Sequence, residues 1–314
     1  MQIFFTDRYV IPLPAQHSFP ISKYSRLRDR ILASCTAAAE SFHIPPAAAR
    51  EDIVRAHDPL YLRRFERGRL TRQEMRRIGL PWSPELVERT KRSVGGTLEA
   101  CRAALVDGVA VNLGGGTHHA FRGAGQGYCL LNDSVIAART LQAERRLQRV
   151  LVIDCDVHQG NGTAALVRGD PDIFAFSIHG RNNFPHRKEA GDLDIALPDG
   201  TGDKEYLEAL RRGLSIAGSL SDADLAIYLA GADPYEKDRF GRLALSKQGL
   251  AFRDRIVFEF CLAAGLPVAV TLAGGYAPDV EDTVEIHLQT VTAAADLFRK
   301  LQGGRDGGGN ACAV

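Results

Sequence analysis

The stretch VIDCDVHQGNGT spaces Asp154, Asp156 and His158 at alternate positions. In an extended segment that spacing puts the three side chains on one face and Cys155 and Val157 on the other. Two carboxylates confined to one small volume repel each other and are costly to bury, so they hold a cation or take up protons. A hard divalent ion suits this set of oxygen and nitrogen donors, and Asp233, in the later stretch AGADPYEKD, can close the set. The plainer alternative is a strand-end cluster that caps helices or binds water. The tandem His118–His119 follows Gly114–Gly116, whose freedom allows a tight turn. Either histidine alone could be a satisfied core group. Beside a metal, the pair meets a different need: a base for attacking water and an acid for a leaving amine. Tyr276 follows Gly274–Gly275 on what should be a flexible turn. Its phenol is either an oxyanion donor or a half-buried surface aromatic.

Each of these residues follows a short apolar run. Val109–Leu113 leads to His118–His119, Val150–Ile153 to Asp154, Leu225–Leu229 to Asp233 and Val268–Leu272 to Tyr276, while Ile173–Ile178 carries Ser177 and precedes His179. Helical patterns are expected at roughly 24–40, 83–105, 132–145, 203–218, 247–264 and 280–301, between most of these runs. The alternation predicts an α/β fold: a single-domain, three-layer α/β/α arrangement around a mainly parallel sheet. Ligands of such sheets bind beyond the carboxyl ends of the strands, where the His, Asp and Tyr residues collect. No internal repeat or linker divides the chain, so one domain is expected over 1–302, followed by a flexible glycine-rich tail over 303–314. Residues 63–77 hold seven arginines against Glu66 and Glu74. They read as a solvated helix face or as a basic rim for an acidic partner.

The 314 residues carry 39 Lys and Arg against 38 Asp and Glu, a net charge of +1, which argues against an obligate polyanion binder. No apolar run approaches the roughly 18–20 residues of a membrane span, and no signal peptide is evident. The six cysteines include no CxxC pair and are expected to be reduced thiols in a cytoplasmic protein. Gly114–Gly116 lead into a histidine pair rather than a GxGxxG turn, which excludes a dinucleotide-binding site there.

Taken together, GGGTHHAFRGAGQGYCLLND, VIDCDVHQGNGTAAL, AFSIHG, LAGADPYEKDRFGRLALS and TLAGGY resemble the zinc-dependent histone deacetylase family, of the arginase/deacetylase fold. HQGNG, DRFG and the short GGY are most similar to its class IV branch. The resemblance covers about residues 4–300, with the motifs in family order. It implies Asp156, His158 and Asp233 as ligands of Zn²⁺, or of Fe²⁺ in some cells. His118 is implied as the first histidine, oriented by Asp154, His119 as the general base and acid, and Tyr276 as the transition-state tyrosine. Gly127, Tyr128 and Phe184 are implied to line the acyl channel. Asp154, Asp156, His158, Ser177 and Ile178 are implied to form a structural K⁺ site, partly through backbone carbonyls.

Two departures bear on the chemistry. Many members have a second histidine and then an aspartate where this chain has Gln159 and Asn161. Asn161 would partner His119, and an amide cannot offset an imidazolium as a carboxylate does. Arginase-type enzymes of this fold hold two metals, but the positions of the extra acidic ligands are Gly160 and Gly231, so a single divalent site is expected. The resemblance implies an amidohydrolase that removes acetyl or longer fatty acyl groups from lysine side chains. Acetylated polyamines or other small amides are the alternative substrates. A catalytically silent module that binds acyl-lysine or a metabolite would need a missing ligand or base, and none is missing.

Overall fold

A computed structural model describes residues 1–307 of the chain. Its elements in chain order are β1 (Ile3–Phe4), α1 (Lys23–Ala33), β2 (Phe42–His43), α2 (Arg50–Ile53), α3 (Pro59–Glu66), α4 (Arg72–Ile78), α5 (Pro84–Asp107), β3 (Val109–Asn112), α6 (Asp133–Ala143), β4 (Val150–Asp154), α7 (Asn161–Val167), β5 (Ile173–Gly180), β6 (Leu193–Leu197), α8 (Asp203–Ser221), β7 (Leu225–Leu229), α9 (Lys247–Ala263), β8 (Val268–Thr271) and α10 (Val280–Gly307). The strands form one sheet in the order β2-β1-β3-β8-β7-β4-β5-β6, and every neighbouring pair is parallel.

Strands buried on both faces carry apolar side chains at successive positions, which is why the central ones read as unbroken Val, Ile and Leu runs. Alternate residues serve opposite cores. Val109, Val111, Leu151, Ile153 and Tyr228 pack beneath α1, α8, α9 and α10. Ala110, Val150, Val152 and Ile227 pack against the layer containing α3, α5 and α6. Helix starts follow local chemistry: the side chains of Ser83, Asn132 and Ser246 accept backbone N–H groups at the starts of α5, α6 and α9.

The adjacent strands β4 and β7 send the chain in opposite directions. From β4 it passes through α7 to β5, and from β7 through α9 to β8 on the other side. A crevice therefore opens at their carboxyl ends, where Asp156, His158 and Asp233 follow.

The structure differs from the sequence reading in several places. The helix expected over 24–40 ends at Ala33, because Cys35 takes a left-handed φ of 53°. The arginine-rich segment is two helices, α3 and α4, broken at Gly68, whose φ is 64°. Most of its arginines are solvated, and Arg64 pairs with Glu74 at 2.5 Å. Strand β1 and the edge strands β2 and β6 are absent from the sequence reading. The last helix runs to Gly307 rather than 301, so the tail expected over 303–314 begins inside it, and the remainder lies outside the described residues.

Candidate active site

The site begins at the carboxyl end of β4. Beyond Asp154 the chain stays extended between its neighbours, Cys155 donating to the Leu229 carbonyl at 3.0 Å and Gly180 to that of Val157 at 2.9 Å. This keeps Asp154, Asp156 and His158 close together. Asp156 Oδ1 accepts from the His158 amide at 3.0 Å and lies 2.9 Å from His158 Nδ1, while its Oδ2 accepts from the Gly274 amide at 2.9 Å. Asp233 Oδ1 accepts from the Val157 amide at 2.9 Å. Its Oδ2 is buried with no aligned donor, 3.3 Å from His158 Nδ1.

Ligand atoms of Asp156, His158 and Asp233 all lie within 4.8 Å of one another, and all three residues are buried. Three observations fit a divalent ion here. The donors are two carboxylates and an imidazole. The Asp233 oxygen has no protein donor that would repay its burial. Gly274 leaves the cradle open, since a Cβ there would stand 2.0 Å from Asp233 Oδ2 and 2.5 Å from Asp156 Oδ2. Among the protein groups themselves, burial and Asp156 push Asp233 up to about 7. Burial opposes a proton on His158, yet Asp156 and Asp233 raise it to about 10. Two buried carboxylates are thus sharing scarce positive charge.

The turn after β3 brings the histidine pair to this cluster, with ring centroids 4.1 Å apart. Gly115 and Gly116 take positive φ values of 81° and 68°. A Cβ on Gly116 would lie 2.6 Å from Ala273 Cβ, so glycine is needed for the turn to pass. His118 Nδ1–H donates to Asp154 Oδ2 at 2.6 Å. Burial works against its charge, but Asp154 and Asp156 raise it to about 9. His119 is different. Burial and the neighbouring His118 and His158 hold it well below its ordinary value, and its Nδ1–H donates to Asn161 Oδ1 at 2.8 Å. A neutral His119 bonded in this way has its Nε2 lone pair available to accept a proton.

Tyr276 sits on a pinned turn rather than a free one. Its amide donates to Asp238 Oδ2 at 2.6 Å, and Phe240 and Tyr128 flank its ring at centroid distances of 5.1 and 5.8 Å. Burial and the carboxylates of Asp156 and Asp233 hold its hydroxyl well above the ordinary phenol range, so it remains a donor. Above the cluster lies a cavity of about 580 Å³ lined by Gly127, Tyr128 and Phe184. Phe184 stands edge-on to His119 at 4.9 Å and 87°. Gly127 has a φ of 55°, and a Cβ there would meet His119 Cδ2 at 2.7 Å. Beneath the site, register pairs Asp154 with Ser177 across β4 and β5, with Ile178 next in line. Ser177 Oγ is within 2.9 Å of His179 Nδ1.

Every site residue expected from sequence therefore gathers at this one crevice or directly behind it. Two supporting residues had no assigned role. Asp238 lay inside the quoted DRFG stretch, and its carboxylate also accepts the amides of Phe240 and Gly241 at 2.8 and 3.0 Å. Lys23 is buried and donates to the Ala273 carbonyl at 3.1 Å, beside the Tyr276 ring. No signal distinguishes it from an ordinary helix-start lysine.

The histone deacetylase domain matches residues 17–291. An uncharacterised protein of Picosynechococcus sp. strain PCC 7002 is 43% identical over 290 residues, covering 92% of this chain and 97% of that one. Histone deacetylase 2 of Arabidopsis thaliana is 28% identical over 269 residues, covering 83% and 70%. A solved structure described as a histone deacetylase homologue complexed with SAHA superposes with a TM-score of 0.81 at 22% identity, over 96% of this chain and 88% of that chain. That structural match carries the fold, and the domain match carries the descent. With most of its length inside that domain and the polar crevice at its strand ends, the chain belongs to the histone deacetylase family.

Proposed function

We propose that the protein is a metal-dependent amidohydrolase that removes acetyl or longer fatty acyl groups from lysine side chains. The observation that carries this reading is the buried Asp156, His158 and Asp233 set with its unpartnered Asp233 oxygen, beside a His119 whose Nδ1 is bonded to Asn161 Oδ1. Asp156, His158 and Asp233 would hold Zn²⁺, or Fe²⁺. Such an ion polarises an amide carbonyl and acidifies water. His119 Nε2 takes the proton of the water as it attacks the carbonyl carbon, and Asn161 Oδ1 fixes the ring through Nδ1. The Tyr276 hydroxyl donates to the oxyanion that develops on the substrate. His119 then returns its proton to the leaving amine, releasing free lysine and a carboxylate. Asp154 orients His118 beside this exchange. Gly127, Tyr128 and Phe184 sheathe the acyl-lysine stem. A structural K⁺ would take Asp154, Ser177 and the nearby Asp156, His158 and Ile178, some through their carbonyls. The likeness to the class IV branch supports long acyl chains as substrates.

The test is to assay metal-loaded protein on acetyl-, octanoyl- and myristoyl-lysine peptides beside acetylated polyamines. Hydrolysis of acyl-lysine is expected, lost on chelation and restored by Zn²⁺. His119→Ala and Tyr276→Phe should keep the metal and lower kcat by about 10²–10⁴, whereas Asp233→Ala should lose the ion. Full metal content and activity in Asp233→Ala would overturn the ligand assignment.

A further inference from the structure

The mouth of the acyl cavity is cationic. Arg77, in the last turn of α4, and Arg239 and Arg242, between β7 and α9, are exposed residues that line it. Asp156 is the only carboxylate among the lining residues, and it belongs to the ligand cluster at the base. Arg242 is partly offset by Asp199 at 3.2 Å. No ion pair joins Arg77 or Arg239 to an acidic residue among the described residues.

Both sources of charge are tied to the channel walls. The Arg77 and Ile78 carbonyls accept the amides of Gly127 and Tyr128 at 3.1 and 2.7 Å, so the end of α4 is stitched to one wall. Asp238 binds the amides of Phe240, Gly241 and Tyr276, so the loop carrying Arg239 and Arg242 is stitched to the other. Tyr276 contacts both Tyr128 and Phe240, which makes the two walls neighbours. Like charges brought to one low-dielectric cleft focus their field on whatever enters.

We propose that Arg77, Arg239 and Arg242 form an electrostatic selector that favours acyl-lysine flanked by aspartate or glutamate in a polypeptide and disfavours polycationic amines. This deepens the hydrolase reading and rests on it. The experiment compares kcat/KM for peptides with one acyl group and one length whose flanking residues are Asp, Ala or Lys, using metal-loaded protein. Acidic flanks should be hydrolysed best and lysine flanks worst, by about two- to fivefold for each arginine engaged. The spread should shrink at about 0.5 M salt, where such fields are screened. The double variant Arg77→Glu and Arg239→Glu should invert the order of preference. Equal rates on the three peptides would overturn the selector while leaving the hydrolase reading standing, and an unchanged order in the double variant would overturn the assignment to these arginines. Hydrolysis of none of the peptides, at full metal content, would instead overturn the hydrolase reading itself.

Discussion

His119 is tuned by what its Nδ1 meets. Asn161 Oδ1 accepts that N–H at 2.8 Å with a dipole rather than a charge, and burial beside His118 and His158 keeps the ring neutral. An aspartate at the same place would stabilise the imidazolium and so raise the His119 pKa. The neutral base would then be present only at higher pH. The acidic limb of the pH–rate profile is therefore expected to move upward in Asn161→Asp, and steady-state kinetics across that limb check it. An unmoved limb would mean that His119 is not the group whose deprotonation starts the reaction.

At the scale of elements, α9 locks the two ligand-bearing strand ends together. Leu250, Arg253, Asp254, Val257, Phe258 and Cys261 make its buried stripe, and the charged pair lies in the middle of it. Arg253 donates to the carbonyls of Gly231, after β7, and Cys155, after β4. Asp254 balances it at 2.9 Å and is itself held by the Tyr228 and Thr290 hydroxyls at 2.6 and 2.5 Å. Removing one partner strands a buried charge. Asp254→Asn is thus expected to cost about 3–5 kcal/mol, read as a fall in the urea midpoint, whereas replacing both residues by apolar ones of similar volume should cost less. A wild-type midpoint in Asp254→Asn would contradict this. The same helix marks a limit of what was legible in the chain. The sheet's centre was, because strands covered on both faces must be apolar throughout. The site was, because Asp154, Asp156 and His158 alternate on one strand extension. Arg253 was not, since FRDR reads as a solvated pair unless its place on the i, i+3, i+4, i+7 stripe is noticed. Strand β6 escaped because LDIAL exposes alternate residues at a sheet edge, and β1 and β2 because two residues carry no period.

Across the whole molecule, burial of histidines couples the fold to pH. His57, His119, His179 and His287, spread through both layers and the site, are all held below their ordinary pKa, in each case chiefly by burial. His57 lies far from the ligand cluster in sequence and is completely buried, and its Nε2 accepts the Asn132 amide at 2.8 Å at the start of α6. That bond requires an unprotonated Nε2. Burial lowers His57 to about 4, the charges of Arg122 and Arg139 adding to the effect. The unfolded chain binds this proton near pH 6.5 and the folded one only near 4, so stability is full above about 6.5 and is lost as pH falls through that window. The loss assignable to His57 is of order 3 kcal/mol. Glutamine offers an uncharged acceptor and cannot titrate, so His57→Gln should lose less stability than the parent between pH 6.5 and 4, whatever its stability at pH 7. Urea midpoints measured for both proteins across that window decide the matter: parallel pH dependences would remove His57 from the account and leave acid sensitivity to the remaining buried histidines.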